Sequence, residues 1–304
     1  MTAATHETTT TPEGTAPLPA AVRTPRRVRG REERGLGASV ALHGTLILAT
    51  LIAAFPVVWV LFISLGPKNA WQQPGEVLSH LGFHNYGDVL AHSDLPQWFL
   101  NTVIVAAGTT ALGVFLAATA GYAVSRMRFP GSRQLMWVFL VTQMFPSIVL
   151  IVPLYLLMAE LHLLDNYLGL ILAYATTAVP FCAWMMKGYF DTIPKEIDEA
   201  GRVDGLTPFG TFWRLIVPLA RPGLAVTAFY SFLTAWGEVA YATQFMQSDH
   251  YTLAVGIRTF AQDQRPDWAW TSATAIIITI PAALVFMLVQ RSLVSGLTAG
   301  GTKS

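Results

Sequence analysis

EAGRVDGLTPFGTFWRLIVPL, residues 199–219, is a polar, glycine-punctuated stretch between two strongly apolar segments. The residues from 195 to 203 contain no proline, so they predict a short helix. Gly205 supplies the turn that ends this helix. Thr207 can then cap a second helix, with Pro208 at its first position. The stretch therefore predicts two short helices joined by a tight elbow.

The second of these helices carries apolar side chains at helical spacing. They are Phe209, Phe212, Trp213, Ile216 and Val217. The piece is too weakly basic, and too closely tethered between apolar segments, to be a DNA-binding helix–turn–helix. Two interpretations remain, a solvated connector and a docking element for a partner protein. We expect the docking element, in which Glu199 and Asp204 offer carboxylates to basic groups of the partner.

The composition indicates a membrane protein. The chain has 304 residues, of which 53% are hydrophobic and only 12% are charged, whereas soluble domains carry roughly 25% charged residues. Cys182 is the single cysteine, so an internal disulfide is excluded and no zinc-type spacing exists. We expect no metal site and a buried, apolar role for this thiol.

Six stretches are long and apolar enough to cross a bilayer, which takes about 20 residues. They are residues 39–64, 98–124, 134–158, 167–186, 218–245 and 271–293. Several of them contain a proline, which predicts bent helices. The fold class expected is therefore all-α, a polytopic membrane protein with six transmembrane helices in one domain, residues 36–304.

The distribution of basic residues predicts the orientation. Of the 19 Lys and Arg residues, all but Lys68, Arg258 and Arg265 fall on one side of the six-span scheme. Because basic residues concentrate in cytoplasmic loops, we expect both termini and the loop around Glu199 to be cytoplasmic. Residues 1–35 are rich in Thr, Pro and Ala and then in Arg, so they predict a disordered, basic cytoplasmic tail.

The pattern E-A-x-x-x-D-G at 199–205, followed by P-L-x-x-P at 218–222, resembles the EAA signature of ABC importer permeases. YTLAVGI at 251–257 and SGLTAGGTKS at 295–304 are similar to maltose/maltodextrin permeases of the MalG type. The resemblance implies a type I ABC importer permease fold. It also implies that residues 191–217, here named the coupling loop, place a coupling helix in a groove of a separate ATPase.

The resemblance assigns six residues to contact with the ATPase: Glu199, Ala200, Gly201, Asp204, Gly205 and Leu206. The sequence departs from the usual signature at two of them. Gly201 stands where a second alanine is usual, and Leu206 stands where an alanine usually follows the Asp-Gly pair.

The function implied is one membrane subunit of an ATP-driven importer for a carbohydrate, such as a maltose- or maltodextrin-like oligosaccharide. The implied partners are a second permease that completes a heterodimeric pore, two copies of an ATP-binding subunit, and an extracytoplasmic solute-binding protein. No nucleic acid is expected. The sequence has no GxxxxGK[ST] phosphate loop, so ATP and magnesium are expected on the partner ATPase and no cofactor on this chain.

Other solutes and other classes of protein are alternatives to this function. The main alternative is an importer permease for a polyol, glycerol phosphate, a peptide or a different oligosaccharide. An intramembrane enzyme is disfavoured because Ser231 has no evident histidine partner, and we expect no catalytic residue. A secondary transporter is disfavoured because no inverted repeat is evident.

Candidate pathway residues lie within the predicted spans. An ionisable group in the bilayer costs energy unless it faces the bundle interior or water, so Glu238 is a candidate for the translocation pathway or for a subunit interface. The alternative is a position at the end of the fifth span that reaches interfacial water. Asn101, Gln143, Tyr230 and Trp236 could hydrogen-bond to or stack on a sugar, although aromatic residues in spans more often serve packing.

The outer loop and the C-terminal tail supply the remaining candidate residues. The outer loop, residues 246–270, is expected by resemblance to contact the solute-binding protein, and the alternative is an ordered surface loop. Its candidate residues are Tyr251, Arg258, Phe260, Asp263 and Arg265. The tail, residues 294–304, is expected by resemblance to make a second ATPase contact through Gly300, Gly301 and Lys303, and the alternative is disorder.

Overall fold

The computed structural model describes residues 36–127, 129–262 and 267–301. The predicted tail, residues 1–35, lies outside them. The chain forms two units, Met1–Ala54 and Phe55–Ser304. In the first unit the described residues are all helical and belong to α1 (Leu36–Ser64).

The expectation of an all-α fold is confirmed, since the described residues form helices, turns and connecting segments without a strand. The helices after α1 are α2 (His84–His92), α3 (Leu95–Arg126), α4 (Ser132–Met144), α5 (Ile151–Glu160), α6 (Tyr167–Thr192), α7 (Glu196–Val203), α8 (Pro208–Thr211), α9 (Val217–Leu219), α10 (Arg221–Trp236), α11 (Ala240–Phe245), α12 (Leu253–Gln262) and α13 (Trp268–Gly301).

Within the described residues, four helices are long and apolar enough to cross a membrane. They contribute Gly37–Ser64, Leu95–Arg126, Tyr167–Thr192 and Trp268–Leu293. Two bent pairs qualify together, Ser132–Met144 with Ser147–Glu160 and Pro208–Leu219 with Arg221–Trp236. The count reaches six, the number predicted, if each bent pair is one span. The second pair, however, begins at Pro208, within the predicted coupling loop, and not at residue 218.

The third predicted span, residues 134–158, is not a continuous helix. Its two halves, α4 and α5, meet at an angle of 100°. Phe145, the residue before Pro146, is extended at φ −77° and ψ 129°, because a proline ring disfavours the helical conformation of the preceding residue. Pro153 leaves α5 intact, since it sits in the first turn, where no backbone N–H is needed.

The fifth predicted span, residues 218–245, is also wrong as a single helix. It is divided by an 82° bend before α10 and by a second interruption at residues 237–239, between α10 and α11. Pro222 lies in the first turn of α10, consistent with a new helix starting there. Gly237 follows the last residue of α10 and weakens helix continuation.

The sixth span extends beyond its predicted end. Helix α13 continues through residues 294–301, which were predicted to belong to the C-terminal tail. The segment contains no proline, so each further residue can add a backbone hydrogen bond to the existing helix.

The centre of the bundle is formed by α3, α6 and α10, which approach closely where their residues are small. A Cβ added at Gly113 of α3 would lie 2.8 Å from Ser231 Oγ of α10. A Cβ added at Gly121 would lie 2.9 Å from the backbone nitrogen of Lys187 in α6. These contacts fix the spacing of the three helices, because interiors at this density have no room for an added methyl group.

Each end of α3 packs against another part of the chain. The N-terminal end is here named the Asn101 end and the C-terminal end the Arg126 end. At the Asn101 end, Trp98 is covered by Gly256 of α12, where an added Cβ would lie 2.2 Å from the indole Cδ2. The ring of Phe260 packs beside Trp98 with centroids 5.5 Å apart. Helix α12 therefore rests directly on α3.

We predict that Gly256→Ala lowers the free energy of unfolding by about 1–3 kcal/mol, because the new methyl group overlaps Trp98. Gly188→Ala in α6 is the control, since a Cβ there meets nothing within 4 Å. Thermal melting of the detergent-solubilised protein measures both variants. Equal melting temperatures for Gly256→Ala and Gly188→Ala would contradict the packing of α12 on α3.

Candidate coupling site

The elbow predicted from the sequence is confirmed. The first helix is α7, which starts one residue later than predicted, with Lys195 at its N-cap. Gly205 follows in the left-handed region at φ +81°, which glycine adopts without steric cost. The hydroxyl of Thr207 then accepts a hydrogen bond from the backbone nitrogen of Gly210 at 3.1 Å, and Pro208 begins α8.

The second helix is less regular than its sequence pattern indicates. After α8, residues Phe212–Ile216 form one π-helical turn, in which the nitrogen of Val217 bonds to the carbonyl of Phe212. Phe212 and Ile216 are buried, whereas Phe209 and Trp213 are exposed. The predicted apolar stripe is therefore divided between a buried side and an exposed side. Turns of this kind occur often at functional sites.

Four of the six predicted coupling residues lie on the exposed surface of the elbow: Glu199, Ala200, Asp204 and Gly205. Leu206 is half-buried and Gly201 is buried. The exposed surface also includes Val203, which is 88% exposed, and Phe209, which is 70% exposed. Neither the Glu199 nor the Asp204 carboxylate forms a hydrogen bond or ion pair with another described residue.

Gly201 is the contact point between the two arms of the elbow. A Cβ at this position would lie 2.9 Å from Thr211 Oγ1 and 3.0 Å from Leu215 Cδ1. Glycine in place of the usual alanine therefore lets α7 approach the second arm more closely. The departure from the signature has a packing explanation.

The strongest contact of α7 with the bundle was missed in the sequence analysis. Asp198 is 6% exposed and accepts hydrogen bonds from Tyr122 Oη at 2.6 Å and from Arg126 Nε at 2.9 Å. Arg126 also donates from Nη2 to the carbonyl oxygen of Ile193 at 2.8 Å. Removing one member of a buried ion pair costs about 3–5 kcal/mol, because the other charge stays buried without a partner.

Aromatic packing surrounds this ion pair. The ring of Tyr122 lies 4.7 Å from Phe212 and 5.7 Å from Phe190, between centroids. Asp198 lies three residues before Gly201, on the same buried face of α7, and no local sequence signal marks that face as buried. Its partner could not be predicted, since Arg126 lies 72 residues away in the sequence.

Glu238 does not lie inside a spanning helix, which corrects its placement in the fifth span. It stands between α10 and α11, where Oε1 accepts from the nitrogens of Ala240 at 2.7 Å and Tyr241 at 3.0 Å. Oε2 accepts from the nitrogen of Ala242 at 3.2 Å. A carboxylate in this position stabilises a helix N-terminus through its unpaired amides and its dipole. Glu238 is therefore a helix cap.

The two interruptions in the bundle are joined by Tyr241, another residue that the sequence analysis did not single out. Its hydroxyl donates to the carbonyl oxygen of Ser147 at 2.9 Å. Ser147 follows Pro146 at the break between α4 and α5. The break in the third span is thus bonded to the helix that follows the break in the fifth.

The other pathway candidates are engaged in packing within the chain. Asn101 is fully buried and donates from Nδ2 to the carbonyls of Asp249 and Tyr251, and its Oδ1 accepts from Gln97 and Tyr167. These bonds occupy its amide, so Asn101 serves as an anchor between α3 and the segment before α12.

The remaining three pathway candidates also contact neighbouring helices. Gln143 donates to the carbonyl oxygen of Thr177 at 3.1 Å. Tyr230 packs on Phe181 with centroids 4.5 Å apart. Trp236 is 5% exposed and donates from its indole nitrogen to the carbonyl of Ile278 at 3.2 Å. The structure does not bring these residues together into one site.

The outer-loop candidates separate in the same way. Arg258 is exposed on α12, whereas Phe260 packs between Trp98 and Trp270. The carbonyl of Tyr251 accepts the bond from Asn101. Asp263, Arg265 and Lys303 lie outside the described residues, and Gly300 and Gly301 belong to the end of α13. Among residues 36–127, 129–262 and 267–301, no three His, Cys, Asp or Glu side chains converge as a metal site requires.

Several helices long and apolar enough to span a membrane, with a helical elbow bonded to the Arg126 end of α3, are typical of a multi-pass membrane protein. Residues 109–298 match the family described as the inner membrane component of binding-protein-dependent transport systems. The chain belongs to this family.

Named relatives agree with the family. The chain is 32% identical over 260 residues to the maltodextrin transport system permease protein MalD of Streptococcus pneumoniae, covering 85% of this chain and 93% of that protein. It is 36% identical over 281 residues to the maltose/maltodextrin transport system permease protein MalG of Salmonella typhimurium, covering 86% and 94%.

A solved structure has the same fold. A chain of a bacterial ABC transporter involved in the import of the acidic polysaccharide alginate superposes with a TM-score of 0.70 and 25% sequence identity. The match covers 83% of this chain and 95% of that one. The expected type I ABC importer permease fold is thereby confirmed.

We predict that Glu238→Ala speeds amide hydrogen exchange in the first turn of α11, because three backbone amides lose their acceptor. Glu238→Gln is the control, since its side-chain carbonyl still accepts hydrogen bonds. Exchange measured by mass spectrometry on peptides covering residues 238–245 tests this. Equal protection of α11 in the wild type and in Glu238→Ala would exclude the capping role.

Proposed function

We propose that this chain is one of two different membrane subunits that form the pore of an ATP-driven carbohydrate importer. A solute-binding protein delivers the sugar outside the membrane, and two copies of a separate ATPase subunit supply the energy inside. ATP and magnesium bind to those partners, and this chain contributes no catalytic residue. The family description, which names a binding-protein-dependent system, supports this arrangement.

The observation that carries the proposal is the two-sided character of α7. Its buried side is bonded to α3 through Asp198, while Glu199, Ala200 and Asp204 are exposed and the carboxylates of Glu199 and Asp204 bond to no other described residue. An exposed carboxylate beside an exposed apolar side chain suits a groove lined with basic and apolar groups. Such a rigid surface can carry movement from a docked ATPase into the bundle.

The orientation proposed places the Arg126 end in the cytoplasm. Arg126 contacts the backbone of Ile193, so the predicted cytoplasmic loops after the second and fourth spans lie together. Lys187, Lys195, Arg202 and Arg214 belong to the same region of the sequence. Basic residues are more numerous at this end than at the opposite end, which supports a cytoplasmic position under the positive-inside rule. Both termini are then cytoplasmic.

The substrate proposed is an oligosaccharide of the maltose or maltodextrin type, and the chain is proposed to be the MalG-type subunit. Maltodextrin and maltose permeases are among the relatives at more than 30% identity over most of the chain, which supports a neutral oligosaccharide. The solved structure of similar fold comes from an importer of an acidic polysaccharide. A different carbohydrate is therefore the second candidate substrate.

The coupling residues proposed are Glu199, Ala200, Gly201, Asp204, Gly205 and Leu206. ATP binding closes the two ATPase subunits, and the docked elbows of both permeases follow this movement. The bundle then changes between inward-open and outward-open states, each stabilised by its own contacts. Tyr251, Arg258, Phe260, Asp263 and Arg265 are proposed to contact the solute-binding protein, and Gly300, Gly301 and Lys303 the ATPase.

We predict that Glu199→Lys leaves the protein inserted in the membrane but uncouples sugar uptake from ATP hydrolysis. The substitution places a cation where basic groups of the ATPase dock, and like charges repel. Uptake of labelled oligosaccharide into reconstituted vesicles, with ATP inside and the solute-binding protein outside, measures this effect. Glu160→Lys, an exposed change at the end of α5, is the control, and unchanged ATP-driven uptake by Glu199→Lys would reject the docking role.

We predict that purification of the native complex through an affinity tag on this chain recovers a second permease and an ATPase. Mass spectrometry identifies the subunits, and native mass spectrometry gives their stoichiometry. A preparation that is active in uptake as a monomer of this chain would overturn the importer proposal.

A further inference from the structure

The buried face of α7 is fixed to α3 at two points. Both oxygens of the Asp198 carboxylate are used, one by Tyr122 and one by Arg126. These two donors are four residues apart and therefore lie on the same face of α3. A contact at two points restrains the rotation of α7 as well as its position, whereas a single bond would act as a pivot.

The opposite end of α3 is fixed to the outer loop in a comparable way. Asn101 donates to the carbonyls of Asp249 and Tyr251 at 3.1 and 2.9 Å. The hydroxyl of Thr102 accepts from the nitrogen of Leu253 at 2.7 Å. Both residues are fully buried, so the start of α12 is bonded to α3 within a dry contact.

Helix α3 is the uninterrupted connection between these two ends. The other described spanning helices contain Pro56, Pro180 or Pro281, and the two bent pairs are broken. Helix α3 has 32 residues and its only proline is in the first turn. At a rise of 1.5 Å per residue it is about 48 Å long, which is enough to cross the bilayer.

We propose that α3 is the rod that transmits movement between the coupling loop and the outer loop, with Asp198 as its positioning residue. Movement of the exposed face of α7 passes through Asp198 to Tyr122 and Arg126, and then along α3 to Asn101 and Thr102. The outer loop is displaced as α3 moves. This inference rests on the proposed function, because it requires a partner that moves α7.

The first test is the ratio of sugar molecules taken up to ATP molecules hydrolysed by the reconstituted complex. Asp198→Asn keeps the shape of the side chain and removes its charge, so the ratio should fall about fivefold or more, while the subunits still assemble. Glu160→Gln removes an exposed carboxylate at the end of α5 and should leave the ratio unchanged. An assembled Asp198→Asn complex with the wild-type ratio would overturn the proposal.

A double variant separates positioning from stability. Arg126→Gln combined with Asp198→Asn removes both charges, so no unpaired charge stays buried and the melting temperature should recover. The ratio should stay low if the ion pair positions α7. Recovery of both the melting temperature and the ratio would reduce Asp198 to a structural role and overturn the proposal.

The distance between α3 and α7 can be measured without any partner, so it tests this inference separately from the proposed function. Spin labels at Ala111→Cys in α3 and Ala200→Cys in α7, both exposed sites, are introduced with Cys182→Ser. The distance distribution should be narrow, and Asp198→Asn should broaden it. If no ATPase copurifies, the proposed function fails, yet broadening would still demonstrate that Asp198 holds α7. An unchanged distribution would overturn the inference whatever the partners are.

Discussion

The carboxylate of Asp198 is the interaction on which the coupling site depends. It lies in a nearly dry contact and is matched by a cation and a hydroxyl on one face of α3. A buried charge without these partners would oppose folding, so α7 is held where its partners are. This buried contact fixes the orientation of α7 and thereby the positions of the exposed residues of the elbow. Gly201 adds the second restraint by closing the elbow on itself.

The interruptions of the bundle follow from a different constraint. Backbone groups within a membrane must be satisfied inside the protein, and each break leaves some of them without helical partners. Glu238 satisfies the amides at the start of α11. Tyr241 bonds to the carbonyl of Ser147 beside the other break. The two broken spans are therefore stabilised together, whereas α3 remains continuous between the coupling loop and the outer loop.

The features that local chemistry determines were predictable from the sequence. Gly205, Thr207 and Pro208 specify the elbow because each has a strong positional preference. The apolar stretches predicted the spans because length and composition alone determine whether a segment can cross a bilayer. The features that depend on distant partners were not predictable. Asp198 looked like one more charge in a polar loop, and Glu238 looked like a charge in a span, because neither the bond to Arg126 nor the break after Gly237 is visible locally.

The π-helical turn at Phe212–Ile216 shows the same limit. The apolar spacing predicted one continuous stripe, but Phe212 packs against Tyr122 while Trp213 is exposed. Tertiary contacts have overridden local preference at that position. The outcome is an exposed surface with both acidic and apolar members, as docking on another protein requires.

The exposed face of α7 is proposed to meet an ATP-hydrolysing subunit. A photo-crosslinking amino acid in place of Ala200 tests it most directly, since this small residue is exposed on α7. The same amino acid at Glu160 serves as the control at the end of α5. Illumination of the native membrane should join the Ala200 position, and not the Glu160 position, to the ATPase subunit. Crosslinks from Ala200 only to lipid or to this chain would contradict the account.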